Sequence, residues 1–129
     1  MNSIRILVVD DHAPFRRMLT DFLSSQGSVT VVGEAVNGLD AVQKTDELRP
    51  DLVLMDLSMP GMSGFDATKA IKEKHPETKV VVLSSHSGEV YRTAAFQSKA
   101  DDFIEKNSMK LALRSLLDQE LMRPLRVAM

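Results

Sequence analysis

Val53-Leu54-Met55-Asp56-Leu57-Ser58-Met59-Pro60-Gly61 is the stretch whose reading decides the fold. The apolar run from Leu52 to Met55 has the length and continuous hydrophobicity of a strand buried on both faces. It stops at a carboxylate, Asp56, and a Pro-Gly turn follows. Strands buried on both faces belong to parallel sheets, and ligands bind at the carboxyl edge of such sheets. Asp56 is therefore expected at a binding edge, at the point where the chain leaves the core.

On the amino side, Ile4 to Val9 is a second apolar run of strand length, ending at Asp10-Asp11. Pro14 suits the first turn of a helix. Phe15, Met18, Leu19, Phe22 and Leu23 then form one apolar helical stripe, with Gly27 as its expected stop. Val29 to Val32 reads as a strand closed by Gly33. Asn37 is the expected N-cap of a helix carrying Ala41, Val42 and Leu48, ended by Pro50.

On the carboxyl side, Gly61 and Gly64 punctuate a loop. Phe65, Thr68 and Ile71 sketch a helix ended by Pro76. Lys79 to Leu83 is a strand running into Ser84-Ser85-His86-Ser87. A short helix is expected around Val90, Tyr91, Ala94 and Ala95, then a short strand at Phe103-Ile104 that meets Lys106. Ser108 is placed to cap a last helix with Leu113, Leu116, Leu117 and Leu121 on its apolar side. Pro124 ends it. Strand and helix alternate five times, which predicts right-handed βαβ units in one parallel sheet with helices on both faces.

Composition fits this. The chain of 129 residues is 43% apolar and 26% charged, which suits one globular domain. A net charge of -2 implies no broad attraction to nucleic acid or anionic membrane. The absence of cysteine excludes disulfides and thiolate metal sites, and fits a reducing cytoplasm. The first residues match neither a signal peptide nor a membrane span. The eight methionines are expected mainly as gap fillers of the core.

Four strand ends carry polar groups, in the order Asp10-Asp11, Asp56, Ser84, Lys106. In a parallel sheet these ends share one edge. Two carboxylates about 5 Å apart repel by roughly 3 kcal/mol at an effective dielectric near 20, so three together need a cation or a raised pKa. A donor set of oxygens alone favours a hard ion such as Mg²⁺. A lysine and a hydroxyl beside it are what a bound phosphoryl group would require. Taken singly, each residue has a plainer reading. Asp56 alone would be a turn former, the Asp pair a solvated turn, Ser84 a satisfied hydroxyl and Lys106 a surface charge.

The motifs ILVVDDH (6–12), LVLMDLSMPGMSG (52–64), VVVLSSH (80–86) and ADDFIEK (100–106) together resemble the receiver domain of two-component response regulators. The resemblance covers residues 3–120 and is greatest to receivers of LuxR-type transcriptional regulators. It implies a flavodoxin-like, doubly wound (βα)5 sandwich of the α/β class, with a parallel sheet in the order 2-1-3-4-5. It implies that Asp56 accepts a phosphoryl group from a histidine kinase or phosphotransfer protein. Asp10 and Asp11 are implied Mg²⁺ ligands, with Asp56 and the backbone carbonyl of Ser58. Lys106 and Ser84 are the implied phosphate-binding pair. Ser84 and Phe103 are the implied switch residues, and Ser58 and His86 occupy positions that tune phosphate lifetime. The chain departs from the family pattern at Lys99-Ala100, where Gly-Ala is usual, and at Asn107, where Pro often follows the lysine. A lysine at positive φ would carry a steric cost.

The resemblance also sets wider expectations. Residues 1–122 form the receiver, and 123–129 a tail or the start of a linker. The chain regulates rather than catalyses turnover, lies in the cytoplasm, and contacts neither nucleic acid nor membrane itself. Its output is transcription through a DNA-binding domain absent from this chain, with a stand-alone receiver acting by protein contact as the alternative. Homodimers would use helix 4, strand 5 and helix 5, or helices 1 and 5, where Leu113, Leu117 and Leu121 serve either an interface or the core. A Mg²⁺-dependent phosphohydrolase of the haloacid dehalogenase kind is a more distant alternative, because Ser58 stands where such enzymes place a second Asp.

Overall fold

The computed structural model describes residues 3–59, 61–86 and 88–121, with Leu121 described by its backbone only. Pro60, Pro124 and the expected tail therefore lie outside the described residues, as does the side chain of Leu121. Five strands alternate with five helices: β1 (Ile4–Val9), α1 (Ala13–Ser24), β2 (Val29–Ala35), α2 (Gly38–Leu48), β3 (Leu52–Asp56), α3 (Gly64–Lys74), β4 (Lys79–Ser84), α4 (Glu89–Gln97), β5 (Asp102–Glu105) and α5 (Met109–Leu121). All pairings are parallel, and the order is β2-β1-β3-β4-β5. This is the predicted doubly wound sandwich.

Alternation along each strand supplies both faces. Ile6, Val8, Leu54 and Leu83 meet Leu19, Leu23, Leu113 and Leu117 from α1 and α5. Leu7, Val9, Val53 and Met55 meet Ala41, Ala67 and Ile71 from α2 and α3. A third cluster joins Leu57, Val82 and Phe103 to Ala95 of α4. Leu113 and Leu117 therefore belong to the core rather than to an interface.

Several local expectations are corrected. β2 does not close at Gly33 but runs on to Ala35. Ile6 pairs with Val31 and Leu7 with Gly33, so Val32 is bulged out and the strand outlasts its own apolar run. α1 stops at Ser24 without help from Gly27. The left-handed residue before β2 is Ser28 at φ 66. Gly64 opens α3 rather than sitting in a loop. Ser108 stands where expected, directly before the first residue of α5, at the end of a 3-10 turn (Lys106–Ser108). Asn37 caps α2 as expected, its side chain accepting the Asp40 N–H at 2.8 Å.

The amino edge of the sheet is stapled by long side chains. The Arg5 guanidinium donates to the carbonyls of Leu48 and Arg49, closing the end of α2. Lys72 donates to the carbonyls of Pro76 and Thr78 and to the Asp101 carboxylate, which also accepts the Val80 N–H. Between α2 and α3, Asp46 accepts from Lys74 and bonds the buried ring of His75.

Candidate functional site

The site grows out of the strand register. Val9 pairs with Met55, so Asp10 leaves β1 beside Asp56 at the end of β3. Asp56 pairs with Leu83, which brings Ser84 to its other side, and Ser84 pairs with Glu105, the residue before Lys106. The sheet order reverses between β1 and β3, and ligand crevices open at such switch points. Asp10, Asp56 and Ser84 are all buried, while Asp11 is exposed.

One carboxylate oxygen each from Asp10, Asp11 and Asp56 lies within 4.8 Å of the others. Lys106 Nζ reaches into this cluster, 2.8 Å from Asp56 Oδ1 and 3.0 Å from Asp10 Oδ2. The other oxygen of Asp10 accepts the His12 N–H at 2.8 Å, which fixes the carboxylate. Burial pushes the Asp56 carboxyl above the ordinary carboxylate range. The Lys106 hydrogen bond opposes that shift, and the negative charges of Asp10 and Asp11 add to it. For Lys106, burial acts downward, but its bonds to Asp56 and Asp10 together outweigh it and the net direction is up.

The other expected residues divide. Ser84 sits at the site edge, but its hydroxyl is engaged in the next loop, accepting the His86 N–H at 2.9 Å and donating to the His86 carbonyl at 3.0 Å. Ser58 is exposed, two residues past Asp56. His86 is also exposed, its ring stacked on Tyr91 of α4 at 4.8 Å. Phe103 is buried in the cluster with Leu57, Val82 and Ala95, with the Arg92 guanidinium 5.5 Å above its ring. Lys99 has φ 76, the positive value that its departure from Gly would make costly.

Three contributors were not foreseen from sequence. Arg16 donates to the Asp10 carbonyl at 2.8 Å and to Glu34 at 2.9 Å, tying the site turn to β2. Its signal was its place one helical turn inside α1, shared with Arg17, so only the fold distinguishes the two. Gly64 is a close-approach glycine: a Cβ there would lie 2.3 Å from the Asp56 carbonyl oxygen. Phe15, read only as part of an apolar stripe, carries the Lys106 ammonium 4.1 Å from its ring centre.

The family model of the response regulator receiver domain matches residues 6–118. The chain belongs to the response regulator receiver family. This receiver is 45% identical over 107 residues to the response regulator protein VraR of Staphylococcus saprophyticus, covering 81% of this chain and 50% of that protein. It is 42% identical over 130 residues to the protein-glutamate methylesterase/protein-glutamine glutaminase of Thermotoga maritima, covering 98% of this chain and 37% of that one. Among solved structures, the NarL signal receiver domain of Mycobacterium tuberculosis superposes with TM-score 0.87 at 34% identity, over 95% of this chain and 100% of that one. The receiver spans about half the length of the Staphylococcus relatives. It is a regulatory domain of two-component signalling, the class of domain that works with histidine kinases or phosphotransfer proteins. Among the described residues, no helix is long and apolar enough to cross a membrane.

Proposed function

We propose that Asp56 is the phosphoacceptor, taking a phosphoryl group from a histidine kinase or phosphotransfer protein. The supporting observation is the Lys106 ammonium, held 2.8 Å from Asp56 Oδ1 inside a cluster of three carboxylates. A cation already stands where the oxygens of an incoming group need one.

An Asp56 oxygen attacks the donor phosphorus. The P–N bond of a phosphohistidine breaks, and its electron pair leaves with the imidazole, which takes up a proton. Lys106 then turns from Asp10 toward the new phosphoryl oxygens, and Ser84 exchanges its His86 partners for one of them. Phe103 follows as the loop after β4 shifts. The donor set is all oxygen and fits a hard divalent ion. Asp10, Asp11 and Asp56 would hold Mg²⁺, with the backbone carbonyl of Ser58. When bound, the ion offsets the repulsion between the carboxylates and the phosphoryl group. Ser58 and His86, both exposed at the rim, govern how water reaches the acyl phosphate and so its lifetime.

In this reading the chain turns over no separate substrate; it loads and unloads Asp56. Residues 1–122 are the receiver, and 123–129 are a tail or the start of a linker. The output is transcription through a DNA-binding domain outside this chain, in the cytoplasm, with no nucleic acid or membrane contact by the receiver itself. Exposed Val90 and Phe96 on α4 and Leu111 on α5 support a homodimer through the α4-β5-α5 face; Met18 on α1 supports the alternative through α1 and α5. The test is incubation with acetyl phosphate and Mg²⁺ followed by intact mass. Wild type gains one phosphoryl mass and Asp56→Asn gains none; an unchanged wild-type mass overturns the reading.

A further inference from the structure

We infer that Phe15 is a positioning residue for phosphoryl acceptance, its ring fixing the Lys106 ammonium against the Asp10–Asp56 pair. The inference rests on the phosphoacceptor reading of Asp56 and assigns a role to a side chain outside the polar set. An ammonium has three N–H donors. Two are taken by Asp56 Oδ1 and Asp10 Oδ2, at 2.8 and 3.0 Å. On a further side lies the Phe15 ring, its centre 4.1 Å from Nζ, well inside the range of a cation–π contact. The other such contacts among the described residues are longer, 5.5–5.9 Å, and none of them involves a residue of the carboxylate cluster or Lys106.

The ring is partly buried and anchored from below. It stands in the first turn of α1, immediately after Pro14, whose ring fixes φ there, and it packs against the core beneath α1 and α5. A lysine side chain is flexible, and ordering it costs rotamer freedom. Two carboxylates alone would let the ammonium follow either of them. The ring removes one direction of escape. When Asp10 is drawn toward another charge, Lys106 is left over Asp56, where the phosphoryl oxygens arrive. The ring also contributes nothing that competes: it offers no hydrogen-bond acceptor and no formal charge, so it holds the cation without neutralising it.

The experiment replaces Phe15 with mono-, di- and trifluorophenylalanine. Fluorination withdraws charge from the ring face while nearly preserving size, so a purely steric role would not respond. The readouts are the rate of phosphoryl mass gain from acetyl phosphate with Mg²⁺, and the ring-current shift of the Lys106 ε-methylene protons in the metal-free protein. The expected result is a graded fall in rate along the series, reaching about 3- to 10-fold, and a comparable fall for Phe15→Leu that Phe15→Tyr restores. The upfield shift of the Lys106 protons is expected in wild type and lost in Phe15→Leu. A flat rate across the fluorinated series, or no ring-current shift in wild type, overturns the inference. Absence of any mass gain on wild type instead overturns the phosphoacceptor reading, so the two failures are distinct.

Discussion

Asp56 is strained by its own neighbourhood. It is a buried carboxylate beside two others, and its pKa lies above the ordinary range because burial and like charge outweigh Lys106. The folded state therefore holds the Asp56 proton more tightly than the unfolded chain does. Stability from this group is present below the unfolded value, about 3.9, and is lost as pH rises through the folded value. At neutral pH and without divalent ions, Asp56→Asn is thus expected to be more stable than wild type, by more than the roughly 0.5 kcal/mol scatter of surface substitutions. Urea unfolding in EDTA at about pH 4 and about pH 8 measures this, and the gap should widen toward pH 8. The carboxylates, Ser84 and Lys106 were all legible in the sequence, because a polar residue directly after a buried strand has one edge to occupy. Phe15 and Arg16 were not. Their sequence signal, an apolar stripe and a helix charge, is shared with residues that touch nothing at the site.

Elements were legible where periodicity was strong, as in β1, β3 and α1. They were misread where a local device overrode the pattern. β2 continues past Gly33 because a bulge at Val32 lets a weakly apolar segment keep pairing with β1. The turn between α4 and β5 is the opposite case, since the lysine in it was recognised as out of place. Lys99 holds φ 76, a conformation that costs an ordinary residue about 1–2 kcal/mol and glycine little. Lys99→Gly is expected to stabilise the fold by about 1 kcal/mol, seen as a higher urea midpoint with an unchanged slope. A lower midpoint would mean that the Lys99 side chain contributes more than its backbone costs.

For the whole molecule, the question is how far phosphorylation can move the fold. Shifting a two-state equilibrium from 1:99 to 99:1 takes about 5.5 kcal/mol of differential interaction. A charge-assisted lysine bond is worth roughly 1.5–3 kcal/mol and a hydroxyl bond about 1. Both must be discounted here, because Lys106 already bonds two carboxylates and Ser84 already bonds the His86 backbone. A graded shift is therefore expected. NMR with a saturating beryllofluoride phosphoryl mimic should give chemical shifts between two end states, and complete conversion to one state would contradict this. The topology and layering were legible as a whole, because alternating apolar strands and amphipathic helices leave few arrangements. The opposite, amino edge was not, since Arg5, Lys72 and Asp101 act across long sequence separations. That edge has a consequence of its own. With the root of the sheet clasped by these side chains, the loops around Asp56 are released from the work of holding the domain together. They are free to be rewritten for a different donor or a different output while the domain beneath them stays the same.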